Sequence, residues 1–200
     1  MTGPDAAGPG GPVLGIVGRS GSGKTTLITA LLERFTGQGL LVSTVKHTHH
    51  AVDLDQPGKD SFRHREAGAH EVMLVGDARW ALLHERRSRP AAGGPGQDEL
   101  AEVLRRLAPV DLVLVEGFAR TLGPRIEVVR EAIASGAGKT PLWPDDPGVE
   151  AVASDVRPAG FGRSWLPLDD PGAIAGWIVQ RFGLDIGRPC AMRDSNELPH

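Results

Sequence analysis

One octapeptide constrains this chain more than any other feature. Gly18-Arg19-Ser20-Gly21-Ser22-Gly23-Lys24-Thr25 meets the pattern G-x-x-x-x-G-K-[ST] at every specified position. The pattern has mechanical meaning only between a buried strand and a helix, and both flanks are legible. Val13–Val17 is a short uninterrupted apolar run, which suits a parallel strand covered on both faces. From Lys24 to Phe35, the residues Leu27, Leu31, Leu32 and Phe35 recur at helical spacing, and Gly37 stands where a C-cap glycine belongs. Leu40–Lys46 is apolar and β-branched and reads as a second strand. The three pieces make a strand–helix–strand unit, the building block of a parallel sheet.

A loop of this kind is built for a polyphosphate. Gly18, Gly21 and Gly23 let the backbone wrap closely, so that successive N–H groups, those of Ser20 and Ser22 included, point at phosphate oxygens. The start of the following helix adds positive dipole at the same place. Lys24 is expected to reach the β- and γ-phosphates, the Thr25 hydroxyl to ligate Mg2+, and Thr26 to support the α-phosphate side. The bland alternative is a Gly/Ser linker matching by chance, and the strand and helix at its flanks argue against it. The expected ligand is a purine nucleoside triphosphate with magnesium.

A carboxylate at the end of a neighbouring apolar strand usually completes such a site. Asp111-Leu-Val-Leu-Val115-Glu116-Gly117 supplies one. Glu116 falls at the C-terminal strand end, where ligands gather in open α/β sheets, and Asp111 at the opposite end. Glu116 is therefore the candidate for the metal and its water shell, with Gly117 beside it. Lys46-His47-Thr48-His49-His50 leaves the second strand on the same side, with Asp53 and Asp60 following. Lys46 and His47 are candidates to sense the terminal phosphate. Asp53 and Asp60 are candidates for contact with magnesium-bound water or for orienting an attacking water. A transition-metal site in the histidine block lacks a fuller ligand set, and polar loop contacts are the simpler reading.

Further along, a short helix is expected from Asp60 or Ser61 to near Gly68. A hairpin pairs Val72–Val75 with Trp80–Leu83 about Gly76-Asp77. Arg86–Gly96 reads as an exposed loop, Asp98–Leu107 as a helix, and Asp111–Val115, Ile126–Val129 and Val149–Ala153 as strands. Ala134–Gly148 looks irregular, and Ala173–Phe182 is a final helix. Met1–Pro12, rich in Gly and Pro, is expected to be a disordered leader, residues 13–184 one nucleotide-binding domain, and residues 185–200 a flexible tail. A net charge of −3 over 200 residues argues against a general nucleic-acid binder, which needs a basic excess. No apolar run reaches the roughly 20 residues needed to span a bilayer. With no secretory signal pattern at Met1–Pro12 and a single cysteine, Cys190, the expected compartment is the cytoplasm.

The base is harder to read. The Asn-Lys-x-Asp sequence of many GTPases is excluded, since Asn196 is the one asparagine of the chain. Asp155, after the strand Val149–Ala153, could accept from N1–H and the 2-amino group of guanine, a donor pair adenine lacks. It could equally be a loop aspartate that starts a turn.

Here a family resemblance becomes specific. Gly21-Ser-Gly-Lys-Thr-Thr26, Val45-Lys-His-Thr-His-His50, Asp53 and Pro57-Gly-Lys-Asp-Ser61, then Arg79-Trp-Ala-Leu82, Asp111-Leu-Val-Leu-Val-Glu-Gly-Phe118 and Ala151-Val-Ala-Ser-Asp155, occur in this order between about Val13 and Leu184. Together they resemble the molybdopterin-guanine dinucleotide biosynthesis protein B family. The resemblance implies a GTP-binding homodimer with weak GTPase activity. Such a protein acts as an adapter for the guanylyltransferase that attaches GMP to molybdopterin, with molybdopterin itself a further candidate ligand. Carried over, Gly18–Thr26 bind phosphate and Mg2+, and Glu116-Gly117 form the acidic strand end. The expected fold is a three-layer α/β P-loop domain with a mostly parallel sheet and a β-hairpin extension. Two competing readings remain: a small-molecule kinase, with Arg86, Arg87 and Arg89 as its lid, and a nickel-delivery GTPase using His47, His49 and His50.

Overall fold

The computed structural model describes residues 11–48, 55–85, 97–118, 123–136, 140–158 and 162–187. In chain order the elements are β1 (Val13–Val17), α1 (Lys24–Gly37), β2 (Val42–Lys46), α2 (Asp60–Glu66), β3 (Glu71–Val75) and β4 (Trp80–His84). There follow α3 (Gln97–Leu104), β5 (Leu112–Glu116), β6 (Arg125–Val129), α4 (Glu131–Gly136), β7 (Val149–Ser154), β8 (Ser164–Pro167) and α5 (Pro171–Phe182). They fall into two units, one formed by residues 1–47 with 95–200 and one by residues 48–94.

The first unit is built on a six-stranded sheet in the order β2-β5-β1-β6-β7-β8, and every pairing in it is parallel. Parallel pairing requires both faces to be covered, and alternate residues serve the two faces. Leu14, Ile16, Leu112, Leu114, Ile126, Val128, Ala151 and Ala153 join one cluster with Leu27, Leu31 and Phe35 of α1 and Ile174 and Ile178 of α5. On the other face Val13, Val113 and Val115 pack with Leu100 and Leu104 of α3, while Val17, Val149 and Val152 meet Leu142 and Trp143. The three-layer α/β arrangement expected from the sequence is the one observed.

Particular boundaries differ. Helix α1 runs through Gly37, and the left-handed residue that ends the turn is Gly39, with φ +84° and its N–H donating to the Thr36 carbonyl. Gly37 therefore is not the capping glycine. Glu131–Gly136 forms α4, whose last three residues enter the stretch expected to be irregular. The strand β8 was not expected: Ser-Trp-Leu-Pro is too short to show alternation and ends in proline, which an edge strand tolerates. Asp111 is a strand-start residue as expected, since its carboxylate accepts the Leu41 N–H at 2.8 Å and its own N–H donates to the Leu41 carbonyl. Pro12 already belongs to the fold, its carbonyl accepting the Val113 N–H. Residues 1–10 of the expected leader, the loop at 86–96 and the tail from residue 188 lie outside the described residues.

The second unit holds α2 and the antiparallel hairpin β3–β4, paired from Glu71↔His84 to Val75↔Trp80. Gly76 N–H donates to the Arg79 carbonyl and closes the turn. Among the described residues, no helix is long and apolar enough to cross a membrane.

Leu31, fully buried between helix and sheet, offers a direct test of this core. Leu31→Ala is expected to lower the unfolding free energy by about 2–5 kcal/mol, through lost burial and a residual cavity. Urea denaturation measures it; a loss below about 1 kcal/mol would mean that α1 does not pack as described.

Candidate functional site

Parallel pairing places the C-terminal ends of all six strands along one edge of the sheet, and the expected site residues of the first unit collect there. Between β1 and α1 the loop Gly18–Gly23 turns through three left-handed glycines, Gly18 (φ +138°), Gly21 (φ +81°) and Gly23 (φ +98°). At Gly18 the requirement is also steric, because a Cβ there would lie 2.4 Å from the Val128 carbonyl oxygen of β6. Gly23 stands at the N-cap of α1, and the first turn contains no acidic residue. A glycine has no side chain with which to cap, so the first helical N–H groups stay open to an anion. Ser20, Thr25 and Thr26 are exposed. Ser22 is buried, and its N–H donates to the Arg19 carbonyl at 3.2 Å.

The Lys24 ammonium folds back onto this loop and donates to the carbonyls of Gly18 (3.1 Å) and Arg19 (2.9 Å). Burial holds its pKa below the usual lysine range; the Glu116 carboxylate opposes that shift and the Lys46 ammonium adds to it. Glu116, at the end of β5, accepts from the Thr25 hydroxyl with both oxygens, at 3.2 and 3.1 Å, and lies 3.5 Å from the Lys46 ammonium. Two ammonium groups thus attend one carboxylate, an excess of positive charge that suits an incoming anion. The hydroxyl of Thr25 and the carboxylate of Glu116 are also the hard oxygen donors that Mg2+ takes, so the residues fit that ion.

Gly117 (φ +97°) and Phe118 (φ +51°) follow in left-handed conformation. A Cβ on Gly117 would come within 2.8 Å of the His47 Cβ, and the His47 ring lies on Phe118 with centroids 4.5 Å apart. The His47 N–H donates to the Glu116 carbonyl at 2.8 Å, extending the β2–β5 pairing. His47 therefore fixes the turn beyond Glu116. A left-handed phenylalanine costs roughly 1–2 kcal/mol, strain of the kind concentrated at binding sites. Asp155 follows β7 at the same edge and accepts the Glu131 N–H at 3.0 Å, at the start of α4. Asp60 opens α2 in the second unit. Asp53, His49 and His50 lie outside the described residues.

Sequence reasoning missed Arg130. It leaves the end of β6, its Nε donates to the Ser22 carbonyl at 3.1 Å, and a Cβ on Gly23 would meet its guanidinium at 3.3 Å. A guanidinium fixed by one N–H to the loop backbone keeps further donors for phosphate oxygens. No motif marks it; it matters because β6 is the neighbour of β1, which sequence periodicity does not disclose. Beside it, buried Glu127 accepts from the N–H groups of Leu142 (2.8 and 3.0 Å) and Trp143 (2.9 Å). Arg19 donates to the Thr140 carbonyl at 3.0 Å, tying the phosphate loop to the same segment.

Comparison with known proteins agrees with this architecture. A family model described as molybdopterin guanine dinucleotide synthesis protein B matches residues 13–155. The chain is 39 % identical over 167 residues to a molybdopterin-guanine dinucleotide biosynthesis adapter protein of Haemophilus influenzae, covering 84 % of this chain and 87 % of the relative. It is 36 % identical over 176 residues to the Escherichia coli protein of the same name, covering 84 % and 92 %. The crystal structure of Bacillus subtilis MobB superposes with a TM-score of 0.62 at 26 % identity, covering 86 % of this chain and 98 % of that one.

Burial raises the Glu127 pKa above the usual carboxylate range, against the pull of its two backbone donors and of Arg19. A raised folded-state pKa means that the native state holds this proton where the unfolded chain has lost it. Glu127 therefore favours folding on the acid side, and that contribution is lost as pH rises from the ordinary value through the raised one. Relative to Glu127→Gln, the native chain should lose stability over that interval, measured by urea melts at a series of pH values. A difference that is flat with pH, or that grows upward, would contradict it.

Proposed function

This chain belongs to the molybdopterin guanine dinucleotide synthesis protein B family, and from that premise we propose that it binds magnesium-GTP at Gly18–Thr26 and serves as an adapter in molybdopterin guanine dinucleotide formation. The observation that carries the nucleotide reading is the Lys24 ammonium folded onto the Gly18 and Arg19 carbonyls inside a loop of left-handed glycines. A triphosphate supplies the anionic oxygens for which that ammonium, Lys46 and Arg130 are the natural partners. Thr25 and Glu116 would hold Mg2+, which supplies charge neutralisation at the β- and γ-phosphates when bound. Asp155 would accept from guanine, with one oxygen still engaged by the Glu131 N–H.

The adapter role is supported by the Haemophilus influenzae and Escherichia coli relatives, both molybdopterin-guanine dinucleotide biosynthesis adapter proteins. Its partner is then a guanylyltransferase that joins GMP to molybdopterin. Hydrolysis by the isolated chain would be slow: Arg130 is committed to shaping the loop, and an arginine that stabilises the transition state can be worth about 10³–10⁵ in rate. The exposed apolar residues Met73, Leu74, Val75 and Trp80 of the hairpin would support a homodimer. The kinase reading rests on Arg86, Arg87 and Arg89, which lie outside the described residues.

Calorimetric titration with magnesium-GTP and magnesium-ATP tests the reading. GTP should bind tighter, and Asp155→Ala should erase the preference while leaving ATP affinity unchanged. Lys24→Ala and Arg130→Ala should each weaken GTP by about ten- to a hundredfold, the worth of a charge-assisted hydrogen bond of roughly 1.5–3 kcal/mol, with circular dichroism unchanged. Equal or tighter ATP binding would favour the kinase instead. In sedimentation, Trp80→Glu should shift a dimer to monomer; an unchanged dimer would place the interface elsewhere.

A further inference from the structure

The second unit carries a cluster that the nucleotide reading does not use. On the hairpin, Glu71 and His84 are directly paired across the strands, and the Glu71 carboxylate meets His84 Nδ1 at 2.7 Å. His70, one residue before β3, sets its ring edge-on to that of His84 with centroids 4.7 Å apart. One ligand atom from each of the three residues lies within 4.8 Å of the other two. The cluster sits at the open end of the hairpin, opposite the Gly76–Arg79 turn.

Two imidazoles and a carboxylate form a donor set suited to zinc and neighbouring divalent transition ions, and poorly suited to magnesium or calcium, which take oxygen. Around a tetrahedral ion with bonds of about 2.0–2.1 Å, ligand atoms stand about 3.4 Å apart. The Glu71–His84 pair is already closer than that, so it opens slightly while His70 closes in. The backbone need not move. The His70 carbonyl accepts the Glu85 N–H at 3.0 Å, which holds His70 in register while its side chain turns. Glu85 itself is bound by Arg65 at 2.9 Å, so the fourth position falls to water.

We propose that His70, Glu71 and His84 bind a zinc-type divalent cation that clamps the open end of the β3–β4 hairpin. An isolated two-stranded hairpin is marginal in water, and an ion joining residues 70, 71 and 84 removes its freedom to fray from that end. The cluster owes nothing to the phosphate loop, so the site stands or falls separately from nucleotide binding.

The test uses the full chain without a polyhistidine tag, titrated with Co2+ by visible absorption and with Zn2+ by calorimetry. One equivalent should bind, with the absorption of a four-coordinate cobalt site. His70→Ala and His84→Gln should each weaken binding by about tenfold or more. His70 lies outside the strand ladder, so its variant tests the proposal even if the His84 variant misfolds. Hydrogen exchange at the Glu71–Val75 and Trp80–His84 amides should slow with Zn2+ in the parent chain and not in His70→Ala. Absence of binding overturns the proposal, as does binding that survives His70→Ala or that is lost in the double variant His49→Ala, His50→Ala.

Discussion

Strand β1 is hydrogen-bonded along both edges, to β5 on one side and β6 on the other, and its five residues are buried. Everything at the candidate site hangs from this constraint. Because both neighbours run parallel to β1, their C-terminal ends arrive beside its own. Glu116 from β5 then faces Thr25, and Arg130 from β6 reaches the Ser22 carbonyl. The same packing explains the glycine at position 18, where the backbone passes so close to the Val128 carbonyl that no side chain fits. The phosphate loop is therefore shaped from both sides before any ligand arrives.

That preorganisation has an electrostatic cost. Lys24 and Lys46 share one carboxylate, Arg19 and Arg130 border the loop, and α1 begins with its N–H groups directed at the same place. The chain satisfies the Lys24 ammonium with its own carbonyls. Those neutral acceptors are weaker partners than phosphate oxygens. On the proposed reading, exchanging them for phosphate oxygens would recover free energy for binding.

Much of this was legible in the residue order because it is local. The motif at Gly18–Thr25, the apolar runs of β1, β5 and β7, and the hairpin about Gly76-Asp77 each announce themselves within about ten residues. What was not legible is adjacency. Nothing in Val128-Val129-Arg130 says that β6 lies next to β1, so the sequence does not single out Arg130. Likewise His70, Glu71 and His84 have no suggestive spacing until the strand register makes two of them opposite. The histidine block after β2 attracted attention by its density, yet its described member, His47, packs on Phe118 beneath the Glu116 turn. The Gly37 cap failed for a local reason: Gly37 is itself the last helical residue, and Gly39 is the position whose φ demands glycine.

The position of Arg130 bears on whether the chain should be an efficient hydrolase. An arginine that accelerates phosphoryl transfer must gain contacts in the transition state that it lacks in the ground state. Arg130 is already anchored to the loop backbone through Nε, so its remaining donors would meet a bound triphosphate and the transition state from nearly one position. Uniform binding of that kind raises affinity and leaves the chemical step little changed. On the proposed reading, the Glu116 carboxylate, held by Thr25 and Lys46, would likewise retain a metal rather than take a proton from water. A site so arranged would, on that reading, hold a nucleotide more readily than consume it.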